Sequence, residues 1–436
     1  MKFISTRAQS PPASFAEVLE RGLAPDGGLY MPEHWPAFSI SDFDDDRTLP
    51  QVGRRLLAPF AAGDRLEPEL PRIIDEAFNF PAPLVALSDD GAYSVLELFH
   101  GPTAAFKDFG ARFLAACFER LRRRAARTVN VLVATSGDTG GAVAAAFHGR
   151  PGTQVTVLFP RGLVSPTQQQ QLTCWGDNVR AYAIRGTFDD CQRLVKEAFA
   201  DQAITSRVEL SSANSINLGR LLPQAVYYAA SSLAHWRAHG TALSYIIPSG
   251  NLGNAAAAVI ARRIGLPIGR IVLAHNANAT VSDFLAGGHW QPRASVATLA
   301  SAMDVGNPSN MERLRWLHVE LGELQAALSA HTVVDTAIQQ RIRTDYRRHG
   351  WVWCPHTACA AEVHERLSAT ADSPLHWCIV ATAHAAKFPE IVEPLIGRRI
   401  EVPAALAALF VRPSRFDELD ATLASLREVL ISSRSA

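Results

Sequence analysis

One lysine in an apolar stretch of the chain has the surroundings that an amine nucleophile requires. Only four of the 42 lysines and arginines are lysines, at positions 2, 107, 196 and 387. Lys107 stands between Phe106 and Phe109 in residues 100–110 (HGPTAAFKDFG). Burial lowers the pKa of an amine and yields the neutral nucleophile that forms a Schiff base, whereas arginine does not deprotonate. We therefore expect Lys107 to do chemistry, although most such lysines simply extend their ammonium to water.

Two other segments share a strand, a glycine-rich turn and a helix that opens on small residues. They are residues 131–142 (VLVATSGDTGGA) and 245–255 (YIIPSGNLGNA). The glycines are expected to allow positive φ and close approach, so that backbone N–H groups and the positive end of the helix bind an anion. Neither turn has the Lys-Ser/Thr of a P-loop or the GxGxxG pattern, so a single phosphate or carboxylate fits better than a nucleotide. The alternative is a pair of ordinary strand-to-helix turns.

A polar cluster at residues 214–220 (NSINLGR) offers donors for a second anion. Asn217 is expected to cap a helix, with Arg220 one turn further on the same face. Asn214, Ser215 and Arg220 can then converge on a phosphate, because a guanidinium presents a fork of donors of the right shape. Taken alone, the pattern is more often that of a capped helix with an exposed arginine.

A fourth cluster, residues 381–388 (ATAHAAKF), follows a predicted strand. The Thr382 hydroxyl is expected in the crevice at the carboxyl end of that strand, and a solvated charge is one interpretation of Lys387. A Schiff-base lysine, a glycine turn for a phosphate and a hydroxyl for a ring nitrogen together indicate pyridoxal phosphate as the cofactor.

The composition favours a globular protein that acts on a small molecule. The 436 residues are 48% hydrophobic with no formal net charge, which gives no electrostatic reason to bind nucleic acid or a membrane surface. The six cysteines lack CxxC and zinc-ribbon spacing, so we expect reduced thiols and no metal site. No apolar run reaches about 18 residues, and residues 1–14 lack a signal-peptide core, so a soluble, cytoplasmic protein is expected.

Short β-branched runs alternate with alanine-rich helical stretches from about residue 128 onward. This alternation predicts βαβ units and a parallel sheet covered on both faces, which is an α/β fold. The strands are predicted at residues 129–134, 154–159, 179–184, 208–211, 243–247, 271–274 and 377–381. The helices are predicted at residues 139–148, 165–175, 187–200 and 254–263.

Along essentially its whole length the sequence resembles threonine synthases of the bacterial and fungal type. The motifs that carry the resemblance are residues 26–30 (DGGLY), 99–108 (FHGPTAAFKD), 134–140 (ATSGDTG), 212–217 (SANSIN), 248–254 (PSGNLGN) and 382–384 (TAH). The resemblance implies a tryptophan-synthase-β-like fold, fold type II of pyridoxal-phosphate enzymes, with two α/β domains and an extra N-terminal domain. The implied domains are an N-terminal one at 1–92, a large one at 93–127 plus 236–436, and a small one at 128–235.

The resemblance also assigns roles to individual residues. It makes Lys107 the catalytic Schiff-base lysine and Thr382 the partner of the pyridine nitrogen. The cofactor phosphate is assigned to Gly250, Asn251, Leu252, Gly253 and Asn254. The substrate is assigned to Thr135, Ser136, Asp138 and Thr139 for its carboxylate, and to Asn214, Ser215 and Arg220 for its phosphate. Two positions depart from the family pattern, namely Ala385 where proline is usual and Cys354 where an acidic residue is usual.

The implied reaction converts O-phospho-L-homoserine and water to L-threonine and phosphate, the last step of threonine biosynthesis, by γ-elimination and then β-addition of water. The neutral Thr382 hydroxyl would moderate the electron sink, Lys107 would move protons, and Arg220 would stabilise the departing phosphate. Three alternatives stay open. They are a phospholyase that releases 2-oxobutyrate, a threonine dehydratase, and a catalytically inactive binding protein. The expected assembly is a monomer or a homodimer.

Overall fold

The computed structural model describes residues 1–88, 92–123, 127–135, 137–369 and 376–432, and Ser136 lies outside these ranges. The strands are β1 (Phe3–Ser5), β2 (Tyr30–Pro32), β3 (Leu84–Ala86), β4 (Tyr93–Glu97), β5 (Val129–Ala134), β6 (Thr153–Pro160), β7 (Val179–Arg185), β8 (Glu209–Ser212), β9 (Leu243–Pro248), β10 (Ile268–His275), β11 (Ser329–Thr332), β12 (Trp377–Ala381) and β13 (Asp417–Asp420).

The helices surround these strands and fill the space between the sheets. They are α1 (Phe15–Arg21), α2 (Leu49–Ala61), α3 (Leu70–Ala77), α4 (Lys107–Arg122), α5 (Asp138–Phe147), α6 (Pro166–Thr173), α7 (Phe188–Ala200), α8 (Gln202–Thr205), α9 (Leu218–Leu221), α10 (Ala225–His239), α11 (Gly253–Arg263), α12 (Thr280–Leu285), α13 (Met311–Leu317), α14 (Leu321–Ala327), α15 (Asp335–His349), α16 (Pro355–Ser368), α17 (Pro389–Ile396), α18 (Ala404–Phe410) and α19 (Leu423–Ser432). Within the described ranges, no helix combines the length and the apolarity that crossing a bilayer demands.

The larger sheet has six strands in the order β11-β10-β9-β12-β4-β3. Its neighbours run parallel except for β3, which pairs antiparallel with β4. β9 and β12 lie in the middle and every one of their residues is buried, as parallel strands covered on both faces require. Their carboxyl ends therefore reach the same edge of the sheet, where the polar residues that follow them are brought together.

The smaller sheet has five parallel strands in the order β13-β7-β6-β5-β8. The predicted α/β fold is confirmed, and β5 and β12 have the predicted limits. The strand predicted at 208–211 lies one residue later, at Glu209–Ser212. The short strands β3, β4, β11 and β13 were not predicted.

The N-terminal part of the chain packs against helices on one side of the cavity described below. β1 and β2 pair antiparallel, and α1 packs against α4 and α9. Ser14 and Glu17 form a capping box at the start of α1, which satisfies N–H groups that the helix cannot pair itself. At the other end of α1, the Leu19 carbonyl accepts a hydrogen bond of 2.8 Å from the Asn217 side chain.

The pairing of strands contradicts the domain limits expected from the sequence. β13, near the C-terminus, adds to the smaller sheet beside β7, and α19 packs on α7. Residues 417–432 therefore do not belong with the large domain. β3 belongs to the larger sheet although it precedes residue 92, and the expected limit after residue 235 divides α10, which packs against α11. β13 (DELD) has no apolar alternation, so only tertiary contacts reveal it as a strand.

Candidate active site

A cavity opens where the carboxyl ends of β9 and β12 face the starts of α4, α5 and α11. Twelve of the residues singled out in the sequence line it: Lys107, Asp138, Thr139, Asn214, Ser215, Arg220, Gly250, Asn251, Leu252, Gly253, Asn254 and Thr382. Thr135 is buried beside it, and its hydroxyl accepts hydrogen bonds of 2.9 Å from the backbone of Gly137 and of Gly140. Thr135 thus holds the shape of its turn, and Ser136 lies outside the described residues.

Lys107 is the first residue of α4, and its ammonium lies 5.6 Å from the centre of the Phe106 ring. Burial lowers the pKa of Lys107 to about 8, with Lys387 and Arg220 acting in the same direction and Asp138 opposing them. An amine with this pKa is partly neutral near pH 8, so it can act as a nucleophile and exchange protons. Phe109 points to the other side of α4, where it is fully buried against Phe80.

The largest difference from the sequence analysis is Lys387, which is completely buried rather than solvated. Its Nζ lies 2.8 Å from Asp138 Oδ1 and donates a 2.8 Å hydrogen bond to the Thr103 carbonyl. Burial by itself would raise the pKa of Asp138, but Lys387 and then Lys107 hold it well below its ordinary value. Asp138 is thus ionised in the cavity wall, and Lys387 compensates more of its negative charge than Lys107 does.

Gln168 and Gly137 complete the surroundings of Asp138. Gln168 Nε2 donates to Asp138 Oδ1 at 3.3 Å, and Gln168 caps its own helix together with Ser165. Gly137 has φ of 136°, and a Cβ at this position would lie 2.4 Å from the Gln168 side chain. Glycine is required here both for its backbone conformation and for space.

The second glycine turn leads directly into α11, and its glycines serve only one of the two expected purposes, which is close approach. The residue with positive φ is Leu252, at 60°, whereas Gly250 and Gly253 have ordinary backbone angles. A Cβ on Gly250 would lie 2.8 Å from Met303 Cα, and one on Gly253 would lie 3.2 Å from Ser215 Cβ. Close approach of backbone, rather than left-handed conformation, therefore explains glycine at both positions.

Asn254, in the first turn of α11, has a side-chain amide of which only the oxygen is hydrogen-bonded within the described residues. Its Oδ1 accepts hydrogen bonds from the Tyr227 and Tyr228 hydroxyls, at 2.5 and 2.9 Å. Its Nδ2 is buried and finds no acceptor among the described residues. A buried donor without a partner costs about 1–3 kcal/mol, so a ligand that accepts from it would recover this energy.

The cluster at residues 214–220 is built around two buried side chains. Asn217 caps α9 as predicted, since its side chain accepts a 2.9 Å hydrogen bond from Gly219 N. α9 has only four residues, so Arg220 closes a single turn and does not stand inside a longer helix. The Arg220 guanidinium is 3% exposed and donates to the Ala213 carbonyl, while its Nε has no partner within the described ranges. Burial lowers the pKa of Arg220 to about 10, so the side chain stays cationic at neutral pH.

Asn214 and Ser215 lie beside Arg220 in the cavity wall. Asn214 Nδ2 donates to the Ala134 carbonyl at 2.9 Å, and Ser215 Oγ accepts from Asn310 Nδ2 at 3.1 Å. Asn310 also donates to the Asn251 carbonyl, at 3.0 Å. This asparagine therefore ties the cluster at 214–220 to the glycine turn at 250–254.

The residues that hold the backbone of the cluster at 214–220 in place were not predicted from the sequence. Arg313 is fully buried and donates to the carbonyls of Ser215 and Ile216 and to Asn310 Oδ1, at 3.1, 2.6 and 2.5 Å. The stretch 307–313 (NPSNMER) was a possible signal, because its polar residues directly precede a helix. His356 was missed as well. Its Nε2 accepts from Ala302 N at 3.1 Å, and burial lowers its pKa to about 4, which leaves the ring neutral in the cavity wall.

Thr382 lies one residue beyond β12 and lines the cavity, as its place after a parallel strand predicts. The two departures from the family pattern preserve the local backbone. In the turn Ala385–Lys387, His384 Nδ1 accepts from Ala386 N at 3.2 Å, so the turn closes without proline. Cys354 caps α16 by accepting from Thr357 N at 3.4 Å.

One cavity brings together a lysine with a lowered pKa, a glycine turn at the start of a helix and a hydroxyl at the end of a strand. This combination defines the class of pyridoxal-phosphate-dependent enzymes. Residues 78–382 match the family described as "Pyridoxal-phosphate dependent enzyme". Residues 2–78 match "Threonine synthase N terminus", and residues 357–430 match "Threonine synthase, C-terminal". The chain belongs to the threonine synthase family.

Relatives and solved structures agree with this assignment over the full length. A threonine synthase of Serratia marcescens is 38% identical over 442 aligned residues, covering 99% of each chain. The crystal structure of pyridoxal-phosphate-bound threonine synthase from Brucella melitensis has a TM-score of 0.91 and 34% identity, covering 100% of both chains. That of threonine synthase from Escherichia coli has a TM-score of 0.90 and 36% identity, covering 99% of this chain and 100% of that one.

Proposed function

We propose that this chain converts O-phospho-L-homoserine and water to L-threonine and phosphate, with pyridoxal phosphate held through Lys107. The observation that carries the proposal is one cavity lined both by the 250–254 turn and by Asn214, Ser215 and Arg220. A cofactor phosphate and a substrate phosphate need two such sets of donors, whereas a hydroxyl substrate needs one. This favours the synthase over a threonine dehydratase.

The residues present fit pyridoxal phosphate. Residues 250–254 line the cavity, Asn254 Nδ2 has no acceptor among the described residues, and Lys107 offers an amine with a pKa of about 8. We assign the cofactor phosphate to residues 250–254 at the start of α11, where N–H groups and the helix dipole favour an anion. Thr382 is assigned to the pyridine nitrogen.

When bound, the cofactor supplies an electron sink that acidifies the protons of the amino acid attached to it. Lys107 can release and accept a proton near neutral pH, so we assign to it the proton movements at the substrate's Cα and Cβ. Arg220 remains cationic and would bind the substrate phosphate and stabilise its charge as it departs. Asn214 and Ser215 would orient the same phosphate. Lys387 neutralises Asp138, which would otherwise hold Lys107 as an ammonium ion.

The substrate's carboxylate is assigned to the turn at residues 135–139. Thr139 lies in the first turn of α5 and lines the cavity, while Thr135 would act by fixing the backbone of the turn. Asp138 carries a negative charge, so its role in this proposal is to orient the turn through Lys387 rather than to contact the carboxylate. Ser136 stays a sequence-based prediction.

The test is product analysis. Purified protein is incubated with O-phospho-L-homoserine, and phosphate, threonine and 2-oxobutyrate are quantified, with Lys107→Ala as the control. Equal amounts of phosphate and threonine are expected. Phosphate with 2-oxobutyrate would instead identify a phospholyase, and absence of phosphate release would contradict both.

Place of action and assembly are also proposals. We propose that the enzyme acts in the cytoplasm, which is supported by six cysteines that are all buried and unpaired. We further propose a monomer or a homodimer, which light scattering distinguishes.

A further inference from the structure

Three histidines from separate parts of the sequence meet on the large sheet, away from the cavity. His235 and His239 lie four residues apart on α10, and His376 directly precedes β12. One ring nitrogen of each histidine lies within 4.8 Å of the corresponding nitrogens of the other two, and the ring centroids are 4.5 to 5.1 Å apart. Neither the predicted chemistry nor the proposed reaction uses these residues.

Two of the three rings have nitrogens that the protein leaves unpaired. His235 is 3% exposed, and its Nε2 has no hydrogen-bond partner among the described residues. The same is true of His376 Nδ1. Buried polar atoms are nearly always paired, so two unpaired nitrogens on rings whose centroids are 4.7 Å apart indicate a missing third group. That group must bind imidazole nitrogens, and His239 completes the set from the exposed side.

We propose that His235, His239 and His376 bind a divalent transition-metal ion of the zinc type, with a water molecule as fourth ligand. Imidazole suits zinc, and histidines at i and i+4 on a helix are a common pair of its ligands. No metal site was predicted from the sequence, because the prediction rested on cysteine spacing. The histidines did not suggest one, because His376 lies far from His235 and His239 in the chain.

The geometry needs only small side-chain adjustments. Tetrahedral zinc with Zn–N distances of about 2.0–2.1 Å places its nitrogens roughly 3.3 Å apart. The present nitrogen separations of up to 4.8 Å must therefore shorten by at most about 1.5 Å for any pair.

The ion would join elements of the fold and not take part in the reaction. β12 separates His376 from Thr382, and at about 3.3 Å per residue this distance is roughly 20 Å. The metal would tie the last turn of α10 to the beginning of β12, next to β9, since Ser244 N donates to the His376 carbonyl at 2.9 Å. An ion that binds only the folded chain raises its stability.

The experiment uses untagged protein, freed of metal with a chelator and then titrated with Zn²⁺ by calorimetry and with Co²⁺ by visible absorption. His239→Gln removes one exposed ligand. His349→Gln is a matched control, because both histidines end a 15-residue helix before a glycine with φ near 70°. Cofactor absorbance and circular dichroism verify that both variants remain folded.

We expect one Zn²⁺ per chain, a tetrahedral Co²⁺ spectrum and a rise in Tm with Zn²⁺, in the parent protein and in His349→Gln. In His239→Gln the affinity should fall at least about 100-fold, since losing a group that merely orients a ligand already costs about 10–100-fold. Equal affinity in the parent protein and in His239→Gln would overturn the proposal. The proposal would also be overturned if Zn²⁺ binding to the parent protein did not saturate at one equivalent. The three imidazole rings would then simply pack against one another without binding a metal.

Discussion

The buried pair of Lys387 and Asp138 gives the sharpest prediction about how the cavity is held together. The two side chains are 0% and 4% exposed, and 2.8 Å separates Lys387 Nζ from Asp138 Oδ1. Lys387→Met keeps a similar volume but removes the charge. Asp138 would then keep the 3.3 Å hydrogen bond from Gln168 and the attraction of Lys107. Removing one partner of a buried ion pair typically costs about 3–5 kcal/mol of folding free energy.

The assay is urea unfolding of the cofactor-free protein, followed by tryptophan fluorescence and by circular dichroism. Arg293→Met is the control, because it breaks a 2.7 Å ion pair with Asp283 whose partners are about half exposed. Such a pair contributes about 0–1 kcal/mol. Adding Asp138→Asn to Lys387→Met should restore part of the loss, because the stranded charge is then gone.

The same variant should change the chemistry of Lys107. Lys387 lowers the pKa of Lys107 and Asp138 raises it, so removing Lys387 shifts this pKa upward from about 8. The rate at which the cofactor-free protein takes up pyridoxal phosphate requires the neutral amine, so its pH profile should move to higher pH. The reasoning is refuted if Lys387→Met costs no more than Arg293→Met, or if the pH profile does not move.

Three further predictions concern the other walls of the cavity. Gly250→Val should weaken retention of pyridoxal phosphate far more than Leu252→Met, because a Cβ at 250 meets Met303 Cα at 2.8 Å; equal retention in equilibrium dialysis would count against the assigned turn. Arg220→Ala should lower kcat/KM for O-phospho-L-homoserine by about 30- to 1,000-fold while the cofactor stays bound. Loss of the cofactor with unchanged kinetics of the remaining holoenzyme would mean that Arg220 binds the other phosphate. The free energy of unfolding of the cofactor-free parent protein should rise relative to that of Lys107→Met as the pH rises from about 8 to 10.5. In this window the unfolded chain binds more protons at Lys107 than the folded chain does. A constant difference in unfolding free energy between the two proteins at all pH values would disprove the lowered pKa.

Local patterns in the sequence were sufficient where chemistry and structure depend on neighbouring residues. The strands β5 and β12 follow from continuous apolar runs, and the Asn217 cap follows from its place before α9. The cavity itself was predicted in outline, because parallel strands with polar residues at their carboxyl ends must meet at one edge.

Contacts between distant residues could not be predicted in the same way. Lys387 looks like a surface charge in sequence, and only the fold brings it to Asp138, some 250 positions earlier in the chain. Gly250 was expected to allow positive φ and close approach; only close approach applies, and the neighbour is the backbone of Met303, which is remote in sequence. β13 pairs with β7, and its Glu418 forms ion pairs with Arg161 and Arg185, but its sequence has no apolar pattern that predicts a strand.

The central claim is that Lys107, and no other amine, carries the cofactor. The most direct measurement is reduction of the purified holoprotein with borohydride, followed by peptide mapping of the pyridoxyl group. The account predicts that the yellow absorbance disappears and that the label lies on Lys107. Lys387 has its amine within 2.8 Å of both Asp138 and the Thr103 carbonyl, so it should stay unlabelled. A label on Lys387, Lys196 or Lys2 would contradict the account.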